Sequence, residues 1–315
     1  MILKKQKVAF LFPGQGAQYP GMGKDFYDNF PVARETFDEA DEFLKVKFSE
    51  LIFEGPEKEL TLTKNSQMAI YITSVAILRT LLREFPHLHP AVCAGLSLGE
   101  YTALFASGRI GFTEGLSLVQ ARGRYMNEAC EKIEGTMRVV LGMDEDVVAG
   151  FLPKNIWIAN VNCPGQVVIA GLNSAMPQAE EALKTGGAKR VLPLDVSGAF
   201  HTPLMAFAQE KLRPYLMEAP LLESKTDFVM NVPGAYVSEH AQIRTYLIEQ
   251  VVSPTRWKAG VDAMIKEGVE IYIEIGPGRA LVGMNKKIGV PGISLNIEKV
   301  TDLDNTNLKG AVCSC

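Results

Sequence analysis

Short apolar runs closed by Gly or Pro recur along this 315-residue chain, at 8–12, 91–94, 227–232 and 270–275, with helical patterns between them. Runs of that length ended by a turn read as strands buried on both faces. The stretch 66–84 follows Thr63 and stops before Pro86, which suits a helix. Strands alternating with helices dictate an α/β fold built on a mostly parallel sheet. At 47% hydrophobic residues the chain can bury such a core. A formal net charge of −4 argues against a nucleic-acid partner, whose contact surface is normally basic. No apolar run approaches the ~20 residues of a membrane-crossing helix. The first run ends in Pro13-Gly14, so it reads as a strand and not as a signal peptide.

One segment breaks the alternation. A strand at 136–142 is followed by a helix at 144–152, which Pro153 ends. Strands at 156–162 and 166–171 flank a Pro164-Gly165 turn. Asn173 is placed to cap a helix running to Thr185, Gly186-Gly187 stops it, and 190–196 is a last strand. This order is that of a ferredoxin-like split unit. The expected organisation is therefore a small α+β domain, 135–196, inserted into a large one made of 1–134 and 197–315.

Gly95-Leu96-Ser97-Leu98-Gly99 fits G-x-S-x-G, a pattern that this glycine content (28 of 315) yields by chance about 0.1 times. It follows a short buried strand and precedes a helical stretch, 100–106. A strand-to-helix elbow of this kind exposes the serine hydroxyl at the positive end of a helix. A plain helix-capping serine after a glycine turn is the alternative.

A serine hydroxyl needs a base, and the chain has four histidines. His87 and His89 flank a Pro-bounded loop, and His240 reads as an exposed helix start. His201 remains, in Ser197-Gly-Ala-Phe-His201, directly after the inserted unit. No acidic residue is obviously placed to orient it, so a backbone carbonyl or an amide is expected to do so.

On a helical wheel over 113–130, Arg124 points away from the apolar face, whereas Arg122 lies about 40° from Met126, at the edge of the buried side. Arg122 can either snorkel to water or fork around a carboxylate in a pocket. Pro13-Gly14-Gln15-Gly16-Ala17-Gln18 has the glycines of a phosphate loop, but Tyr19 stands where a dinucleotide pattern needs a third Gly. Gly16 leads to Gly21-Met22 where the Walker pattern needs Gly-Lys, so both nucleotide readings fail. A structural turn and an oxyanion donor remain for this loop.

The five cysteines are odd in number and contain no C-x-x-C pair, as expected of free thiols in a reducing cytoplasm. The terminal Cys313-Ser-Cys315 reads as a frayed tail, with no metal site expected.

Taken in order, Phe12-Pro-Gly-Gln-Gly-Ala-Gln18, Gly95-Leu-Ser-Leu-Gly-Glu-Tyr101, Gln120-Ala-Arg-Gly-Arg-Tyr-Met126, Asn162-Cys-Pro-Gly-Gln166, Gly198-Ala-Phe-His201, Gln250-Val-Val-Ser-Pro-Thr-Arg-Trp257 and Glu274-Ile-Gly-Pro-Gly278 span nearly the whole chain. The sequence thereby resembles the malonyl-CoA:acyl-carrier-protein transacylases of fatty-acid synthesis and the acyltransferase domains of polyketide synthases. The resemblance implies a hydrolase-like α/β core with a ferredoxin-like insert. It implies Ser97 as acylated nucleophile, His201 as its base and Gln250 as the residue whose backbone carbonyl orients that base. It further implies Arg122 as partner of the malonyl carboxylate, the backbone N–H groups of Gln15 and Leu98 as oxyanion hole, and Asn162 and Gln166 as substrate contacts. Phe200 matches the malonyl-selecting form, where methylmalonyl relatives usually carry Ser. Leu96 departs from the His that many bacterial members have there, as mitochondrial-type members also do.

The implied activity is malonyl transfer from malonyl-CoA to the phosphopantetheine thiol of acyl carrier protein, by a monomer in the cytoplasm. No cofactor or metal is expected beyond the coenzyme A thioester itself. Lys64, Lys189-Arg190 and Lys286-Lys287 are candidate contacts for an acidic carrier protein. A polyketide-pathway acyltransferase, a thioester hydrolase on the same elbow and a catalytically silent scaffold are the alternatives.

Overall fold

A computed structural model describes residues 6–305. Among these residues, ten strands form two sheets. The larger holds β1 (Val8–Phe12), β2 (Val92–Gly95), β7 (Asp227–Met230), β8 (Ala235–Tyr236), β9 (Ile271–Ile275) and β10 (Ile293–Ile297) in the order β10-β9-β1-β2-β7-β8. All neighbours are parallel except β7 and β8. The chain moves from β1 to β2 on one side and later adds β9 on the other side of β1. In open parallel sheets, the crevice outside the strand ends at such a reversal is where ligands bind. The Pro13–Gln18 loop and the serine elbow leave β1 and β2 at that end.

Val8–Phe12 is buried along its whole length, as a central parallel strand must be. The Thr63–Glu84 helix covers one face and is buried at 16 of its 22 positions. Its Tyr71 stacks on Phe112 at the start of the Phe112–Lys132 helix, with ring centroids 5.7 Å apart. No helix among the described residues is long and apolar enough to cross a membrane.

The smaller sheet is antiparallel, with β3 (Gly135–Leu141), β4 (Ile156–Cys163), β5 (Gln166–Leu172) and β6 (Arg190–Pro193) in the order β4-β5-β3-β6. Its side chains alternate between two faces. Val140, Val167 and Ile169 pack under the Glu145–Ala149 and Met176–Thr185 helices with Val148, Ala179 and Leu183. Val139 and Val168 point the other way, into a cleft. Thr255 ties this sheet to the core: Val161 donates to its carbonyl at 2.8 Å, and Asn160 Nδ2 donates to its Oγ1 at 2.6 Å.

Three local expectations need correction. Asn173 does not cap the helix, which begins at Met176 after Ala175; the Asn173 N–H instead donates to the Glu134 carbonyl. The Glu145–Ala149 helix is shorter than expected, and Asp144 Oδ1 accepts from the Gly165 N–H of the neighbouring hairpin turn instead of capping it. The last strand stops at Pro193 and not at 196: the Leu194 N–H still donates to the Met137 carbonyl at 3.1 Å, but the chain then turns, with the Val196 N–H closing on the Leu194 carbonyl at 3.0 Å.

Among the described residues, Cys93, Cys130 and Cys163 are free thiols, and no cluster of His, Cys, Asp and Glu could hold a metal. Cys313 and Cys315 lie outside the described residues.

Candidate active site

The elbow is a product of its glycines. Ser97 adopts a left-handed φ of 53°, which an L residue tolerates only when its surroundings enforce it. A Cβ on Gly95 would stand 1.9 Å from the Gly99 carbonyl carbon, and one on Gly99 would stand 2.2 Å from the Phe12 carbonyl oxygen. Only hydrogen fits at either place, so β2 can turn sharply into the Gly99–Ala106 helix beside β1. The turn is tied down from below: Asn231 Oδ1 accepts from the Ser97 N–H at 2.6 Å, and Asn231 Nδ2 donates to the Gly95 carbonyl at 2.7 Å.

His201 also has a positive φ, 60°, and is buried. The small residues Gly198 and Ala199 let the chain enter closely, Gly198 lying against the Cys130 sulfur. Its Nε2 lies 2.8 Å from Ser97 Oγ and its Nδ1 lies 2.7 Å from the Gln250 carbonyl oxygen. A carbonyl only accepts, so Nδ1 carries the proton and Nε2 presents a lone pair to the hydroxyl. Burial, reinforced by the Arg122 charge, pushes the imidazole down to about 4. It is therefore neutral, and able to take a proton, near pH 7.

Arg122 is not at the edge of the buried face but fully inside, 1% exposed, while Arg124 points to solvent. Its Nη1 donates to Gln67 Oε1 at 2.6 Å; its Nη2 donates to Gln250 Oε1 at 2.9 Å and to Ser97 Oγ at 3.0 Å. The Tyr101 ring lies 5.6 Å from the guanidinium carbon. Among the described residues no carboxylate pairs with Arg122 directly, and its Nε, though buried, has no partner. A buried cation held only by neutral acceptors favours an incoming anion.

The remaining expected residues line or border a cleft of about 580 Å³ between the two sheets. Ser97, His201, Gln15, Leu96 and Phe200 form one side, and Val139, Asn162, Gln166 and Val168 the opposite wall. Asn162 Oδ1 is buried without a partner. Gln166 Oε1 accepts from Lys287 Nζ at 2.7 Å. Neither Asn162 nor Gln166 is hydrogen-bonded to the Ser97 group. The Gln15 side chain joins that group through Gln67, whose Nε2 donates to Gln15 Oε1 at 3.4 Å. Among the described residues, the backbone N–H groups of Gln15 and Leu98 donate to no protein acceptor. Lys64, Lys189, Arg190, Lys286 and Lys287 are all exposed.

Sequence reasoning missed Glu100, Asn231 and Gln67. Asn231 reaches the elbow from beyond β7, 134 residues away in the chain, and nothing local marks it. Gln67, at 0% exposure, follows the polar run Thr63-Lys-Asn-Ser66 at the start of its helix, where nothing local singles it out.

A family profile described as acyl transferase domain matches residues 9–290. The chain is 44% identical over 288 residues to the malonyl CoA-acyl carrier protein transacylase of Bacillus subtilis, covering 90% of each protein. It superposes on the crystal structure of the transacylase of that name from Clostridium perfringens with a TM-score of 0.90, at 40% identity and 96% coverage of both chains. A malonyl-transacylase solved in complex with its type II PKS acyl-carrier protein gives a TM-score of 0.91 at 37% identity, covering 96% of this chain and 99% of that one.

Proposed function

The chain belongs to the family of acyl transferase domains, and on that footing we propose that it moves malonyl groups from malonyl-CoA to acyl carrier protein through an acyl-Ser97 intermediate. The observation that carries this reading is the meeting of two groups at one hydroxyl: Ser97 Oγ lies 2.8 Å from His201 Nε2 and 3.0 Å from Arg122 Nη2. In the first half-reaction Ser97 Oγ attacks the thioester carbon while His201 Nε2 takes its proton. The N–H groups of Gln15 and Leu98 receive the oxyanion. The carbon–sulfur bond then breaks, and the proton passes from His201 to the coenzyme A thiolate. The second half-reaction runs the same steps with the carrier-protein thiol as attacking group, restoring the free serine.

Arg122 selects the acyl group by its charge, and Phe200, Val139 and Val168 bound the space beside it. Asn162 and Gln166 contact the substrate from the opposite wall. The segment 135–196 acts as a distinct small domain, the product supplies fatty-acid elongation, and the protein works as a monomer in the cytoplasm.

Intact mass measurement tests the reading. Malonyl-CoA should add one malonyl group to Ser97 in a burst, and turnover should stay slow until holo carrier protein is added. Rapid multiple turnover with water alone would make the chain a hydrolase, and no mass change would remove the acyl-enzyme.

The pH dependence follows from His201. Because burial holds the imidazole below its ordinary 6.5, at about 4, falling pH protonates the base only in that lower range. Single-turnover malonylation should stay level through pH 6.5 and decline toward about 4. A half-maximal point at the ordinary histidine value would contradict the assignment.

A further inference from the structure

Glu100 is the first residue after the second elbow glycine and is completely buried. Its Oε1 accepts the Asn231 N–H at 2.5 Å, and its Oε2 accepts from Gln250 Nε2. Gln250 Nε2 also donates to the Ser97 carbonyl at 2.9 Å, which leaves Gln250 Oε1 facing Arg122. A buried carboxyl and a buried guanidinium are thus joined by one amide, without touching. Direct contact would pair the guanidinium with an internal anion, whereas the intervening amide keeps the carboxyl one residue away and gives Arg122 only a neutral acceptor.

We propose that Glu100 is the positioning residue that fixes which way round the Gln250 amide lies, and so holds Arg122 ready for an acyl carboxylate. The proposal rests on the reading of Arg122 given above. Both Glu100 oxygens act as acceptors, for one backbone N–H and one amide N–H. A glutamine in its place has a single acceptor. Once that oxygen takes the Asn231 N–H, the new NH₂ faces the Gln250 NH₂, donor against donor. Turning the Gln250 amide over relieves this clash but presents its NH₂ to Arg122 Nη2 and costs the bond to the Ser97 carbonyl. The His201 contact is unaffected, because it uses the Gln250 main chain. Burial raises the Glu100 carboxyl to about 8, against the opposing pull of the Asn231 and Gln250 bonds and the Arg122 charge; the assignment of both oxygens as acceptors rests on the two N–H donors aimed at them.

Steady-state transfer to holo carrier protein, with malonyl-CoA and acetyl-CoA as donors, tests this in E100Q, E100D and R122A. E100Q should raise the KM for malonyl-CoA roughly 10- to 100-fold, the loss of one bond to a charged group, with kcat changed far less. Acetyl transfer should stay within about threefold. E100D keeps two carboxyl oxygens at shorter reach, so its loss should be smaller and again confined to malonyl-CoA. Simple packing predicts the reverse order, since glutamine is the closer match in shape. Equal losses with both donors, E100D worse than E100Q, or an unchanged or improved malonyl-to-acetyl ratio each overturn the proposal. Should E100Q fail to melt cooperatively, the donor ratio in E100D decides; failure of both to fold makes Glu100 structural and overturns it. R122A separates the two levels: if it costs both donors equally, the reading of Arg122 itself fails, whereas a malonyl-selective R122A beside an unselective E100Q sinks only Glu100.

Discussion

Replacing Arg122 with Ala is expected to lower malonyl transfer roughly 10²- to 10³-fold while acetyl transfer falls less than about tenfold, measured as kcat/KM for each donor. Leaving a buried carboxylate without its partner costs about 3–5 kcal/mol, and each ~1.4 kcal/mol is a factor of ten. Acetyl carries no carboxylate, so it loses only the bond from Nη2 to Ser97 Oγ and some local order. Lysine at this position should recover little, because an ammonium lacks the planar fork that reaches Gln67 and Gln250 together and matches a carboxylate. Equal losses with the two donors would take the guanidinium out of acyl recognition.

His201→Ala is expected to slow acylation about 10³- to 10⁴-fold with either donor, in single-turnover experiments at saturating thioester. The loss should fall on the rate and not on binding, since the imidazole faces the hydroxyl and the Gln250 carbonyl. Side-chain substitution of Gln250 cannot remove that carbonyl, so the imidazole tautomer should survive changes at position 250 that disturb Arg122. A rate within tenfold of the parent would show that another group takes the serine proton.

What could be read in the sequence was whatever local sterics or spacing decides. The elbow was visible because its geometry admits no side chain at Gly95 or Gly99. The order of the small sheet was visible because Pro164-Gly165 and Gly186-Gly187 punctuate it, although Asn173 misled: a good capping residue is no cap when the first turn begins three residues later. Arg122 was placed at the margin of its helix because a helical wheel sees only one element. Its guanidinium is buried by acceptors 55 and 128 residues away, Gln67 and Gln250, which no local pattern connects. Glu100 and Asn231 stayed hidden for the same reason. Buried polar groups are satisfied by tertiary partners, and hydrophobic periodicity carries no record of them.

The cleft takes Ser97, His201 and Phe200 from the side of the large sheet, and Val139, Asn162, Gln166 and Val168 from the small antiparallel sheet. On the proposed reading, bond-making stays on the first side, while Val139 and Val168 share the sizing of the acyl group with Phe200. Widening the chamber at Val139 or Val168 would leave the elbow glycines, the imidazole and their supports unaltered, so the range of acyl groups admitted can change while the groups around Ser97 stay constant.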